Sequence, residues 1–431
     1  MNDPRLLSVN NFHYRRAGSD AAFLDHDRLF RERGWQTAVF SMRHRENLPS
    51  PWEPFFVDEI ELERQYSLGT KIGIAAKILY SREARAKLEQ LLAVFQPDVV
   101  HLHSVYHHIS PSILPLLHGL GVPVVMTAHD YKLACPAYKM FDGEGVCEDC
   151  RGGSLMPLVR KRCIHGSTAL SAFVAFETAL HRWLGFYERY IDRIVCPSRF
   201  QLEKLASWGW PRERLVHVQN FVDADAWPPR FAPGDHVLYF GRLAPEKGLH
   251  TLLRACALAD CAVKLIGWGT ERDALEQQAR TLGARVQIIE RLPAEQLSDH
   301  IRAARCVVVP SEWYENASLA VLEAFACGKP VIASRIGGTP ELVRHGSNGW
   351  LFEPGDVPGL AECLRAVMHM PDEAVEVMGR RAHTAVREQF SAGRYYDGMT
   401  QLYADLGAKV PDLQTPASLL PQLEKPCESV A

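Results

Sequence analysis

In the stretch EWYENASLAVLEAFACGKP (312–330) two of the three glutamates, Glu315 and Glu323, stand with seven residues between them. Glu315 stands beside an Asn in a polar run, whereas Glu323 interrupts the apolar AVLEAFA. An ionised carboxylate only accepts hydrogen bonds. The pair therefore suits a hydroxyl-rich ligand such as a sugar and would repel a phosphate. Between the two, Ser318 is a good N-cap residue, and Gly328 and Pro330 mark the end of a helix. The amides at such a helix start favour an anion. The plainer alternative for Glu323 is a water-facing position on an amphipathic helix.

A second chemical stretch is GRLAPEKG (241–248). Gly241 permits close backbone approach. Arg242 and Lys247 follow a strand-like run and precede a helix-like one, an arrangement suited to an anion. Its plainer reading is a solvated loop with an ordinary turn. Gly267 and Gly269, in IGWG, form a lone GxG that reads better as a tight strand-to-helix turn than as a ligand loop. A basic pair, a helix N-terminus and two hydroxyl acceptors together point to a sugar nucleotide.

These residues need elements to hold them. LLSVN (6–10), TAVFS (37–41), DVVHLH (98–103), VPVVMTAHD (122–130), RIVCPS (193–198) and VHVQNFVD (216–223) read as strands. VLYFGRL (237–243), AVKLIGWG (262–269), VQIIERL (286–292), CVVVPS (306–311) and PVIAS (330–334) repeat the pattern. Near-continuous apolar strands alternating with amphipathic helices predict parallel sheets covered on both faces, an α/β class. Ligands of such sheets bind beyond the carboxyl ends of the strands. The polar residues there are His103, His129, Asp130, Ser198, Asn220, Gly241, Arg242, Gly267, Gly269, Arg291 and Glu315. The Pro- and Asp-rich 223–235 reads as a linker. The expected organisation is an N-terminal domain 1–222 with a Cys-rich insertion at about 131–166, and a C-terminal domain 236–385. A helix over 386–410 is expected to pack back toward the first domain, followed by a disordered tail, 411–431.

The 431 residues are comfortable for two domains. A net charge of −3 offers no electrostatic case for nucleic acid. No apolar run is long enough to span a bilayer. The N-terminus lacks the charged and apolar regions of a leader, so a cytoplasmic chain is expected. KIGIAAKILYSREARAKLEQLLAVF (71–95) and LMPLVRKRCIHGSTALSAFVAF (155–176) combine cations with apolar residues. They read either as core-facing helices or as a surface that meets an anionic membrane. Of the 11 cysteines, Cys135, Cys147, Cys150 and Cys163 cluster as C-x11-C-x2-C-x12-C, the arithmetic of a structural zinc knot, with His165 as an alternative ligand. Four reduced thiols in a loop are the other reading.

ENASLAVLEAFACGKPVIASRIGGTPELV and GRLAPEKG together resemble the signature and diphosphate loop of retaining glycosyltransferases of family 4. The resemblance runs from the first strand to the helix near residue 405. It implies a GT-B fold: two Rossmann-like domains facing across a cleft, the first taking the acceptor and the second the donor. It implies that Arg242 and Lys247 bind the donor diphosphate and that Glu315 binds sugar hydroxyls. The amides of Asn316, Ala317, Ser318 and Leu319 would meet sugar and phosphate. Glu323 would hold the ribose, Arg291 and Leu292 would lie at the base, and His129 would lie at the sugar and reaction centre. Gly18, with Gly241 and Gly267, would belong to the donor site. The family's Gly-Gly pair after the first strand is here Ala17-Gly18-Ser19, which leaves Arg15 and Arg16 beside it without an assigned role. The resemblance further implies retention by same-face departure and attack, no cofactor required for catalysis, and a glycan or polyprenyl-diphosphate-linked acceptor. Bacterial exopolysaccharide, capsule or lipopolysaccharide synthesis is the expected context, with peripheral membrane contact through the first domain. The rivals are a sugar-nucleotide epimerase or a phosphorylase on the same fold, and a non-catalytic sugar-nucleotide-binding subunit.

Overall fold

A computed structural model describes residues 3–60 and 67–411. The expected tail falls almost wholly outside the described residues. The strands are β1 (Arg5–Val9), β2 (Gln36–Phe40), β3 (Val99–Leu102), β4 (Val124–Thr127), β5 (Arg193–Cys196) and β6 (Leu215–His217). A second set comprises β7 (Val237–Phe240), β8 (Val263–Ile266), β9 (Val286–Ile289), β10 (Cys306–Val309), β11 (Val331–Ser334) and β12 (Gly349–Phe352). They form two six-stranded sheets, ordered β2-β1-β3-β4-β5-β6 and β12-β11-β10-β7-β8-β9. Every pairing is parallel. Eleven strands match segments read from the sequence. The twelfth, GWLF, is a four-residue run behind Asn348, which reads locally as a turn.

Strands such as VVHL, VVMT, CVVV and VIAS are buried throughout. β-branched runs without alternation can only be accommodated with apolar cover on both faces. In each sheet the strand order reverses once, between β1 and β3 and between β7 and β10. A crevice opens at such a switch point, beyond the strand ends. The sequence stretches singled out above leave from these strands. Gly18 follows β1, Gly241 to Gly248 follow β7, and Glu315 follows β10.

The helix Ala392–Asp405 crosses back onto the first sheet. Tyr395, Tyr396, Met399, Leu402 and Tyr403 share a core with Leu6, Phe30, Trp35 and Val99. The Trp35 indole donates to the Tyr396 hydroxyl at 3.0 Å. Gly18 is the first residue of the helix Gly18–Glu32, capped by Ala17 in extended backbone. It does not adopt a positive φ and is an ordinary helix start. Among the described residues no helix is long and apolar enough to cross a membrane.

Candidate active site

After β7 the backbone turns at Gly241, whose φ is +144°. Arg242 Nη2 lies 2.9 Å from Glu246 Oε1. Glu246 is buried, and Lys139 of the first half reaches its other oxygen at 3.2 Å. The short turn Pro245–Lys247 ends at Gly248, φ +66°, where an added Cβ would stand 1.9 Å from the carbonyl oxygen of Pro310. The loop after β7 is thereby pressed against the end of β10, and that contact places Lys247 beside Glu315. Lys247 Nζ donates to both Glu315 oxygens, at 3.1 and 2.9 Å. Ser311 Oγ and Trp313 Nε1 donate to Oε2 at 2.7 and 2.6 Å. Burial by itself would push the Glu315 carboxyl up, but the Lys247 charge and these hydrogen bonds outweigh it and hold it below its ordinary value.

The helix expected to begin after Ser318 is Leu319–Ala326. Ser318 has the extended backbone of an N-cap, yet its side chain makes no capping hydrogen bond. The first amides of a helix have no carbonyl within the helix, so this N-terminus is suited to an outside acceptor. Leu319 meets the first domain at Gly18, where an added Cβ would lie 3.7 Å from its Cδ1. Two helix N-termini thus approach each other across the cleft. Glu323, the fifth helical residue, is pushed up to about 8 by burial, with the nearby Arg15 opposing and Asp25 adding to the effect. Arg15 is paired with Asp25, and Arg16 lies over the Phe12 ring at 4.5 Å. Arg291 is exposed and Leu292 is packed on the second domain's core.

The Asn316 side chain spans the domains: Ser198 Oγ donates to its Oδ1 at 2.8 Å, and its Nδ2 donates to the Ala128 carbonyl at 3.1 Å. Gly267 is required by packing, since an added Cβ would lie 1.8 Å from the Gly241 carbonyl oxygen. Gly269 likewise abuts the Leu243 carbonyl, at 2.0 Å. Both glycines brace the β7 loop from behind.

The structure gives no evidence of the four-thiol zinc site. Cys135, Cys147, Cys150 and Cys163 all line one cavity of about 10 Å3. Among the described residues, however, no three His, Cys, Asp or Glu side chains are arranged to hold a metal ion. The Lys161 ammonium lines the same cavity, 3.5 Å from Cys147 Sγ, and is tied down by Asp142 and Asp149 at 2.9 and 2.7 Å. The insertion instead has its own small core, in which Cys135 and Cys150 pack with Tyr131, Met140 and Leu158.

Functional contacts that sequence reasoning missed join the domains. Glu148, between Cys147 and Cys150, accepts from the Tyr314 hydroxyl at 2.8 Å and pairs with Lys204 at 2.6 Å. The insertion thus docks on the loop that carries Glu315. Glu341, from GGTPE, accepts the amides of Arg199 and Phe200 at 2.9 and 2.8 Å and so caps a helix of the other domain. Gly337 and Gly338 back the Glu315 loop: added Cβ atoms would stand 2.1 and 2.0 Å from the carbonyls of Glu315 and Asn316. His129 lies at the end of β4 beside this junction, with its imidazole held neutral by burial, its pKa lowered to about 4.

The comparisons with known proteins agree with this architecture. Residues 24–226 match the family described as Glycosyltransferase Family 4, and residues 229–384 match Glycosyl transferases group 1. A glycogen synthase of Mycobacterium tuberculosis is 30% identical over 314 residues, 68% of this chain and 72% of the relative. A lipopolysaccharide core biosynthesis glycosyltransferase of Rhizobium meliloti is 33% identical over 268 residues, 59% of this chain and 73% of that one. Among solved structures, sucrose-phosphate synthase from Thermosynechococcus elongatus superposes with a TM-score of 0.71 at 19% identity, covering 94% of this chain and 99% of that one. An Anabaena protein in complex with UDP and glucose gives 0.64 at 18%, covering 93% and 100%. Two parallel sheets facing across a cleft define the GT-B class of transferases. Within it, the chain belongs to glycosyltransferase family 4, enzymes that transfer a sugar from a nucleotide sugar.

Proposed function

We propose that this enzyme moves a sugar from a nucleotide diphosphate sugar to a glycan or lipid-linked acceptor, with retention at the anomeric carbon. The observation that carries the reading is the Lys247–Glu315 pair set beside an uncapped helix N-terminus. A diphosphate placed there would meet Lys247, Arg242 and the amides of Ala317 to Leu319. The leaving diphosphate gains negative charge as the glycosidic bond breaks, and preorganised donors aimed at it lower that barrier. Glu315, kept ionised by Lys247, would accept from sugar hydroxyls. Glu323, largely protonated below about pH 8, can both donate to and accept from the ribose diol. Arg291 and Leu292 would flank the base. No side chain of the site is assigned as a nucleophile, so attack from the face the diphosphate leaves is the favoured route. Closure of the two domains would exclude water, which competes with the acceptor.

Cell-surface polysaccharide assembly is the favoured context, supported by the lipopolysaccharide relative. The first domain offers a surface for it. On the helix Thr168–Leu184, Leu170, Phe176 and Trp183 are exposed, the last at 77%. Ile72 and Met156 lie exposed on nearby helices, with the exposed cations Lys71, Arg160 and Arg182 on the same elements and Arg162 in the turn that follows. This composition suits an anionic bilayer carrying the acceptor. This reading requires no zinc for transfer, and the zinc content of the purified protein tests the four thiols separately.

The test is incubation with UDP-, GDP- and ADP-sugars, following thermal shift and slow donor hydrolysis. One donor should stabilise the protein and be hydrolysed, and Glu315→Ala should abolish turnover. Binding without turnover, even with acceptor lipids present, would favour the non-catalytic subunit.

A further inference from the structure

β3 and β4 end side by side beneath the cleft, in the register Leu102↔Met126. Alternation along the strands then sets His101 and His103 against Thr127 and His129 on one face. The His101 and His103 rings stack with centroids 4.7 Å apart, and those of His103 and His129 lie within 14° of parallel with centroids 5.1 Å apart. His101 is fully committed: its Nδ1 meets the Tyr403 hydroxyl at 2.5 Å and its Nε2 meets Thr127 Oγ1 at 2.7 Å. His103 Nδ1 lies 2.8 Å from His129 Nε2, while His103 Nε2 is buried with no hydrogen-bond partner among the described residues.

That orphan nitrogen decides the tautomers. These imidazoles are neutral at physiological pH because burial, and for His101 and His103 their histidine neighbours, push their pKa values down. One ring of the His103–His129 pair must donate. If His129 donated from Nε2, His103 would carry its proton on Nε2 and bury an unpaired N–H. If His103 donates from Nδ1, only a lone pair is left unpaired, and orphaned buried N–H groups are the rarer case. His129 then carries its proton on Nδ1. It is the less buried ring of the pair, and Asn316 of the donor loop binds the adjoining Ala128 carbonyl at 3.1 Å.

We infer that His103 is a positioning residue for glycosyl transfer: it locks His129 in the Nδ1–H form and presents a hydrogen-bond donor to an oxygen of the bound sugar. This rests on the donor site proposed above. A hydroxyl or ring oxygen can accept from that N–H, and the locked tautomer spares the site any proton rearrangement when the donor binds.

The tautomer is read directly on the unliganded protein labelled with 15N-histidine, by long-range 1H–15N correlation at pH 7.5. His129 should show a protonated Nδ1 and a bare Nε2. In His103→Leu the two tautomers should mix, with donor KM changed less than about threefold and kcat lowered roughly 10- to 100-fold. His103→Asn, whose amide can donate to the same nitrogen, should recover part of kcat. Adding His103→Leu to His129→Ala should cost nothing more. An Nε2–H tautomer in the wild type, or a well-folded His103→Leu with unchanged kcat, overturns the inference. Should His103→Leu not fold, the wild-type spectrum and His103→Asn still decide. If the wild type turns over no nucleotide sugar, the functional reading fails, and the spectrum still reports the tautomer.

Discussion

Lys247→Met separates two jobs that the site gives one side chain. Without donor, the Lys247 ammonium is the counterion of Glu315, with only 16% and 11% of the two side chains exposed. Removing one partner of a buried ion pair costs about 3–5 kcal/mol, because the remaining charge stays desolvated. Here Ser311 and Trp313 still donate to the carboxylate, so about 2–3 kcal/mol is expected for the second domain. The cost should depend on pH in a definite direction. In the wild type the Glu315 carboxyl is held below its ordinary value, so its contribution persists until the pH falls through that lowered pKa. In Lys247→Met burial is opposed only by the Ser311 and Trp313 hydrogen bonds, and the folded-state pKa rises. The variant then loses stability as pH increases through that raised value. Urea unfolding followed by tryptophan fluorescence should show a smaller penalty at pH 5.5 than at pH 8. Glu315→Gln should cost only about 1 kcal/mol, since the ammonium can turn toward water and the Trp313 ring. The double variant should resemble Glu315→Gln and lose the pH dependence, a coupling of roughly 2 kcal/mol. Donor turnover is a separate readout and should fall about 100- to 1,000-fold in Lys247→Met. A penalty below about 0.5 kcal/mol, equal at both pH values, would refute the buried-pair argument whatever the kinetics.

Glu323→Gln should match the wild type near pH 5 and be more stable at pH 9. The wild-type carboxyl, raised to about 8 in the folded state, withdraws stability as pH rises; incomplete burial limits the gain to about 2 kcal/mol. Equal unfolding midpoints at both pH values would count against a desolvated Glu323. Tyr314→Phe removes the hydrogen bond from the donor loop to Glu148 and should raise donor KM about fivefold with little change in kcat; an unchanged KM would mean that the insertion does not steady the loop. Gly338→Ala would drive a Cβ to 2.0 Å from the Asn316 carbonyl and 2.7 Å from Ser198. It should destabilise the protein by several kcal/mol or open the cleft, seen as a lower melting temperature or a larger radius of gyration in solution scattering. Trp183→Ser with Phe176→Ser should abolish flotation with vesicles containing anionic lipid while leaving donor hydrolysis intact; undiminished flotation would remove that helix from the membrane reading.

The sequence by itself determined the strand runs, the places where they end and the polar residues that stand there. A buried parallel strand must be apolar and β-branched along its length, and a ligand site must lie where that pattern breaks. CVVVPS followed by EWYENA therefore marked both β10 and Glu315, and VLYFGRL marked both β7 and Arg242. These are local signals, written within a few residues. What only the tertiary structure decided is which groups meet. Glu148 and Tyr314 are 166 residues apart in sequence, and Ser198 and Asn316 are 118 apart. No periodicity links residues so distant. The same holds for the stack that turns His103 toward His129, and for Gly267, which reads as a turn and proves to be a place where two strand ends cannot spare a Cβ. The cysteine spacing is a further case: it counts thiols along the chain, and only the fold shows that all four line one cavity, with the Lys161 ammonium lining it beside them.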